Sequence, residues 1–177
     1  MSESDALSRA LADLDIRMME RFVTAQDSVW QDVQDELAAG KKVSHWMWWI
    51  FPQMTELGRS KTAKEWGLDG KDEAIAFARH RVLAARLQRC CELLLAVPHS
   101  VSIVEVMGHV DAVKLRSSMT LFEAVHAGPL FRQVLDRFYG GRRDGLTLET
   151  PDRGTTKNPR SQENAPWSTG VNTTIIQ

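Results

Sequence analysis

Residues 82–97 read VLAARLQRCCELLLAV. At about 100° per residue, Leu83, Leu87, Cys90, Cys91, Leu94 and Leu95 fall on one broad face, with Arg86, Arg89 and Glu92 opposite, the pattern of an amphipathic helix. Pro98 stops it. Both thiols then point inward and read as small buried hydrophobes rather than redox groups. Two adjacent cysteines do not form a structural disulfide, which fits a reducing compartment, and no second pair stands at a metal-ligand spacing.

Working outward, helical periodicity covers most of the chain. From about Asp5 to Ala25 the apolar residues Leu7, Leu11, Leu14, Met18 and Phe22 recur every three or four positions, as one helix or two. In DSVWQDVQDELAAG (27–40), Trp30, Val33 and Leu37 form an inward stripe. Asp27 or Ser28 is its expected cap, Ser28 and Gln31 resemble a capping box, and Gly40 suits a left-handed turn after the last residue. Short helices are expected over Ser60–Trp66, ended by Gly67, over Asp72–Arg79, and over Ser100–Met107, ended by Gly108. Asp111 is placed to cap a helix reaching about Ala127, and Gly128-Pro129 breaks the chain before a helix over Pro129–Tyr139 that Gly140-Gly141 ends. No stretch alternates with period two between hairpin turns, so no sheet is predicted. The chain therefore reads as all-α, a single compact domain of about seven to nine helices over residues 1–150. The remainder, PDRGTTKNPRSQENAPWSTGVNTTIIQ (151–177), holds three of the six prolines and no helical stripe. It is expected to be a flexible tail or a strap docked loosely through Trp167 and Ile175-Ile176.

Composition narrows the function classes. With 177 residues, 43% hydrophobic and 25% charged, the chain suits one well-packed soluble domain. A formal net charge of -1 offers no global attraction for nucleic acid or membranes. No stretch approaches the roughly 20 apolar residues of a membrane helix, and MSESDALSRALADLD is acidic and polar where a signal peptide is basic and then apolar. The expectation is a cytoplasmic protein. Phosphate loops, dinucleotide fingerprints, HExxH, CxxC and GxSxG are absent, so neither a cofactor nor a metal is predicted.

Three clusters exceed what packing asks for. The first is SHWMWWIFPQ (44–53). If Ser44 caps a short helix there, His45 and Trp49 share a face one turn apart, Pro52 ends the helix, and Gln53 sits on the following turn. Such a helix is apolar nearly all round and belongs in the interior, with His45 and the indole N–H groups bonded to backbone. The alternative is a flat aromatic wall of Trp46 and Trp49 on which a planar ring stacks while His45 and Gln53 read its edge. The second cluster is DAVKLRSSMTLF (111–122), where Leu115, Met119 and Phe122 point inward, Arg116, Thr120 and Glu123 share another face, and Lys114 and Ser118 flank the stripe. Lys114, Arg116 and Ser117 are candidates for holding an anion, against the plainer reading of an ion pair with Glu123 or a carboxylate of another helix. The third is FYGGRRD (138–144), whose Arg142 and Arg143 follow a helix C-terminus that favours cations in any case.

In this order and spacing, SHWMWWIFPQ, LGRS, KLRSSMTLF and FYGGRRD resemble the bacterial family catalogued as domain of unknown function 1810, with close variants of HWMWFIFPQ, LGxS, KLxSSMTLF and FFxGxxD. The likeness runs from about Arg21 to Leu148. It implies a single all-helical domain and no established activity. The family's signature falls on His45, Trp46, Trp48, Pro52, Gln53, Gly58 and Ser60, and then on Lys114, Ser117, Ser118, Met119, Phe122, Gly141 and Asp144. Trp30 and Trp66 stand where tyrosine is usual, and Arg81 stands where proline commonly follows histidine. Some members carry the label calpastatin, a name for inhibitors that act as disordered repeats, whereas this composition is that of a packed domain.

Two functions follow as expectations. One is a small-molecule site in which the Trp-rich run and the 114–120 helix border one cleft. Its ligand would be planar and anionic, such as a nucleotide, with Trp46 or Trp49 stacking, His45 and Gln53 on the ring edge, and Lys114 or Arg116 on phosphate. The other is an adaptor with an aromatic and basic surface for a protein partner. Nucleic acid is unlikely as a partner, for want of a basic stripe, and oligomeric state is not legible.

Overall fold

Helix α8 (His109–Ala124) forms the centre of the fold. Its Ala112, Leu115 and every residue from Ser117 to Phe122 are buried, because α5 (Gly70–Arg79), α7 (Ile103–Met107), α9 (Pro129–Tyr139) and α10 (Gly145–Glu149) pack around it. The computed structural model describes residues 2–150, so the expected tail of 151–177 lies outside the described residues. The other elements are α1 (Glu3–Asp27), α2 (Trp30–Ala38), α3 (Met47–Ile50), a 3-10 turn (Thr55–Leu57), α4 (Lys61–Glu65) and α6 (Arg81–Ala96). The described residues contain no strand, only an isolated parallel bridge between Met54 and Leu68. The fold is all-α and a single domain, as the periodicity requires. The elements without a sequence forerunner are the 3-10 turn and α10, each about a single turn with no apolar stripe to mark it.

Helix α6 carries most of the inward face read from its sequence: Leu83, Leu87, Cys90, Cys91 and Leu94 are buried, whereas Leu95 is half-buried and Leu93 is buried in addition. Burial pushes both thiols up, Cys90 further by the neighbouring Cys91. Aromatic rings run through the core from one side to the other. Trp48 touches Trp49 (centroids 6.3 Å apart), Trp49 touches Trp66, and Phe22 bridges Trp66 and Phe77. Phe77 then meets Phe122, which meets Phe131. Offset and edge-on pairs of this kind add about 0.5–1.5 kcal/mol each beyond their burial.

Three local expectations need correcting. The stripe of α1 is one continuous helix, but Leu7 and Leu14 are 62% and 44% exposed, and only its later part, Met19 and Phe22, enters the core. Ser28 does not cap α2. Helix α1 runs through to Asp27, the cap position is Val29, and the Ser28 hydroxyl donates back to the Ala25 carbonyl. Helix α8 starts at His109 after Gly108, so Asp111 lies in its first turn and its carboxylate is free to pair with lysines. Gly40 and Gly140 take the left-handed conformation expected of them, with φ 69° and 59°.

Candidate functional site

The segment that carries the tryptophans is fixed by one carboxylate. Glu36, on the last turn of α2, accepts hydrogen bonds from the backbone N–H of Val43 (2.8 Å) and Ser44 (3.0 Å), from the Ser44 hydroxyl, and from the Trp46 indole (2.8 Å). Burial works to raise this carboxyl, and the bonds from Ser44, Val43 and Trp46 outweigh it, holding it below the usual carboxylate range. Ser44 therefore serves Glu36 and does not cap α3, whose cap position is Trp46. A second anchor comes from α1, where buried Gln26 donates from Nε2 to the Trp49 carbonyl at 2.8 Å and accepts from Arg86 at 3.4 Å.

Lys42 closes this segment against α8. Its side chain is only 6% exposed, yet its ammonium donates to the Ser44 carbonyl (2.5 Å), pairs with Asp111 (2.9 Å) and stands 4.7 Å over the Trp46 ring. A buried ammonium persists only with partners of this kind. Asp111 also reaches Lys114 at 3.5 Å, and Lys114 in turn lies 5.5 Å from the centroid of Trp48. Asp111 thus joins two lysines, each of which covers one indole.

The predicted residues separate into three environments. Trp46 is fully enclosed, with its N–H on Glu36 and Lys42 over its ring, so its faces belong to the core. Trp48 and Trp49 are half-buried, His45 is exposed, and Gln53 is half-buried with its carbonyl accepting from Leu68 at 2.8 Å. The Trp-rich run and α8 do meet, by direct contact between Trp48 and Lys114. The indole nitrogens of Trp48 and Trp49 are shielded from solvent and have no acceptor among the described residues. Ser118, one turn beyond Lys114, is fully buried with its hydroxyl also unpartnered among them.

Arg116 and Ser117 face elsewhere. Buried Asp144 accepts from the Ser117 hydroxyl (3.1 Å), from the backbone N–H of Thr147 (3.1 Å) and from its hydroxyl (2.5 Å), and lies 3.7 Å from Arg116. The Thr120 hydroxyl accepts from the Asp144 N–H at 2.9 Å and donates to the Arg116 carbonyl at 2.8 Å. Asp144 is the cap of α10, and this lattice ties α10 to α8. Glu123 holds Arg143 at 2.5 Å, and that bond keeps its carboxyl below the ordinary range. The second and third sequence clusters are therefore each other's partners on this side, the ion pair with another helix's carboxylate that was the plainer reading. Among the described residues no group of histidines, cysteines and carboxylates could hold a metal, and no helix is long and apolar enough to cross a membrane.

Sequence reading missed Glu36, Lys42, Gln26 and Asp111 as site-builders. A faint signal existed: Glu36 sits beside the inward residues Val33 and Leu37, one turn from a loop that begins with two lysines. A charge there asks for a partner.

Comparison with known proteins agrees with the fold. The chain is similar to a solved structure described as the conserved hypothetical protein Rv1873 from Mycobacterium tuberculosis, at 42% identity and a TM-score of 0.71, covering 73% of this chain and 93% of that one. No protein with a curated description matches it. Residues 17–150 match the family described as a protein of unknown function, DUF1810, and they include the Glu36 clamp, the tryptophan run, the lysine pair and the Asp144 lattice. The chain belongs to the DUF1810 family.

Proposed function

We propose that the protein binds a small, planar, anionic molecule of nucleotide-like chemistry at the surface where Lys114 meets Trp48. The observation that carries this reading is the pair of indole N–H donors, on Trp48 and Trp49, shielded from water and without acceptors among the described residues, beside a lysine. A buried donor left unpaired costs about 1–3 kcal/mol, and functional sites are where such costs are retained. A ligand supplying acceptor oxygens or ring nitrogens satisfies them once the Trp48 ring swings outward, and its negative charge finds Lys114. Trp49 offers a second ring for stacking. His45 and Gln53, exposed and half-buried, have side-chain groups free for the ligand's edge. Trp46 and Ser117 stand outside this reading because their polar groups are committed to Glu36 and Asp144, and Arg116 because its guanidinium is turned to Asp144 at 3.7 Å. No reaction is assigned. The adjacent free thiols Cys90 and Cys91 accord with a reducing, cytoplasmic setting.

The test is thermal denaturation against a panel of nucleotides and aromatic acids, with intrinsic tryptophan fluorescence as a second readout. A ligand at a hundred times its dissociation constant adds about 2.7 kcal/mol of stability. A panel that moves neither the midpoint nor the fluorescence defeats the proposal.

A second reading, an adaptor surface, draws on exposed valines. Val43 and Val110 adjoin the paired Lys42 and Asp111, and with Val113 they are 74%, 68% and 59% exposed. A silent ligand panel, together with loss of a co-purifying partner in Val110→Glu, is the outcome that favours it.

A further inference from the structure

We propose that the open groove between the 3-10 turn and α4 is a second site, for a phosphorylated small molecule that also bears hydroxyl or amino groups. The groove has a volume of about 730 Å³ and is lined by Thr55, Arg59, Lys61, Lys64, Glu65 and Asp69. That is the size at which proteins hold small ligands. This inference shares with the Trp48 site only the backbone of Gln53.

The groove gathers exposed cations that have no carboxylate partner among the described residues, whereas Lys42, Arg86 and Arg143 are held by Asp111, Asp27 and Glu123. Around the groove, Arg59, Lys61 and Lys64 form no ion pair with any described residue, although Glu65 and Asp69 line the same hollow. Three unmatched cations converging on one concavity attract an anion with several oxygens, and the arginine fork suits a phosphate in particular. Two carboxylates only accept hydrogen bonds, so they repel a bare polyanion and favour a ligand whose other end donates. The two charges together select a phosphate ester of a hydroxylated or aminated molecule.

The floor of the groove is preformed. The Thr55 N–H donates to the Leu68 carbonyl (3.0 Å) and the Leu68 N–H to the Gln53 carbonyl (2.8 Å), which stitches the two walls together. The walls approach so closely that a Cβ on Gly67 would lie 2.5 Å from the Thr55 Cα, and one on Gly58 would lie 2.9 Å from the Ala63 carbonyl carbon. Within this floor the Thr55 hydroxyl is shielded, has no partner among the described residues, and lies against Gly67, where a Cβ would come within 2.7 Å of it.

The experiment is isothermal titration of the full chain with glucose 6-phosphate, inorganic phosphate, glucose and a short single-stranded oligonucleotide. Glucose 6-phosphate should bind at least about tenfold more tightly than phosphate, with glucose silent, and more weakly as salt is raised. Arg59→Ala with Lys64→Ala should weaken it by about tenfold or more, through loss of charge-assisted bonds. Both residues are exposed, so the variant folds, and an unchanged melting curve verifies this. Trp48→Phe should leave this binding untouched. Absence of heat with every phosphate at millimolar concentration overturns the proposal, as does equal binding by the parent and the double variant. Preference for a single-stranded oligonucleotide over the sugar phosphate overturns it too.

Discussion

The ammonium of Lys114 lies 5.5 Å from the centre of the Trp48 ring, on the one line of contact between the tryptophan-rich segment and α8 that carries charge to an indole still partly open to solvent. Removing the charge alone leaves the ring in place. Lys114→Met keeps the apolar stem and should change stability by less than about 1 kcal/mol, since a half-exposed cation over an aromatic ring contributes about that much. It should nonetheless weaken any anionic ligand at Trp48 by about tenfold, consistent with a lost charge-assisted bond. Thermal melts and titrations of the same variant separate the two effects.

Glu36 holds the tryptophan segment through four donors, so its loss should be costly. Glu36→Gln retains the shape but forfeits the charge, and should destabilise the fold by about 2–3 kcal/mol, in the range for hydrogen bonds to ionised groups. The pH dependence follows from sign. The folded-state carboxyl titrates below the ordinary glutamate value of 4.5, so its stabilisation is complete above that value and disappears as pH falls through the depressed one. Denaturation midpoints between about pH 6 and pH 3 should fall more steeply for the parent than for Glu36→Gln. Parallel curves would remove Glu36 from this role.

Asp144 caps α10 while receiving Ser117, Thr147 and Arg116. Asp144→Ala should cost about 3–4 kcal/mol, combining a lost cap of about 1 kcal/mol with charge-assisted bonds in a buried setting. Arg116→Ala should cost less, because its guanidinium is about a third exposed. If Arg116→Ala abolished ligand binding without touching stability, the assignment of Arg116 to the α10 lattice would be wrong.

The paired thiols Cys90 and Cys91 are buried and their ionisation is pushed up. A thiolate reagent should therefore leave both unmodified in the native protein at neutral pH and label both on unfolding. Rapid native labelling would show that α6 opens far more often than its burial implies.

Much of the fold was legible from periodicity because long helices repeat their apolar face. VLAARLQRCCELLLAV and the stripe of α2 come out as read, and Gly40 and Gly140 end their helices for the backbone reason that marks them. The contacts of the candidate site residues were legible only in part. The run SHWMWWIFPQ does meet KLRSSMTLF, but at Trp48 and Lys114, whereas Trp46 turns to Glu36 and Arg116 to Asp144. Helical spacing shows which residues share a face, and it is silent on which distant carboxylate each face meets. Glu36, Asp111 and Asp144 make that choice through contacts between residues 10 to 70 positions apart, and no local pattern encodes such a pairing. The single-turn α10 escaped for a related reason, since its identity lies in a capping aspartate rather than in a stripe.

The most direct measurement compares Trp48→Phe with the parent in thermal melts, with and without the nucleotide and aromatic-acid panel. Phenylalanine keeps a ring and removes the unpartnered N–H while losing part of the contact with Trp49 and Lys114, so the two effects offset and the unliganded variant should stay within about 1 kcal/mol of the parent. The stabilisation that a panel ligand confers on the parent should be lost in the variant. A ligand response equal to that of the parent would mean that Trp48 is not where the ligand binds.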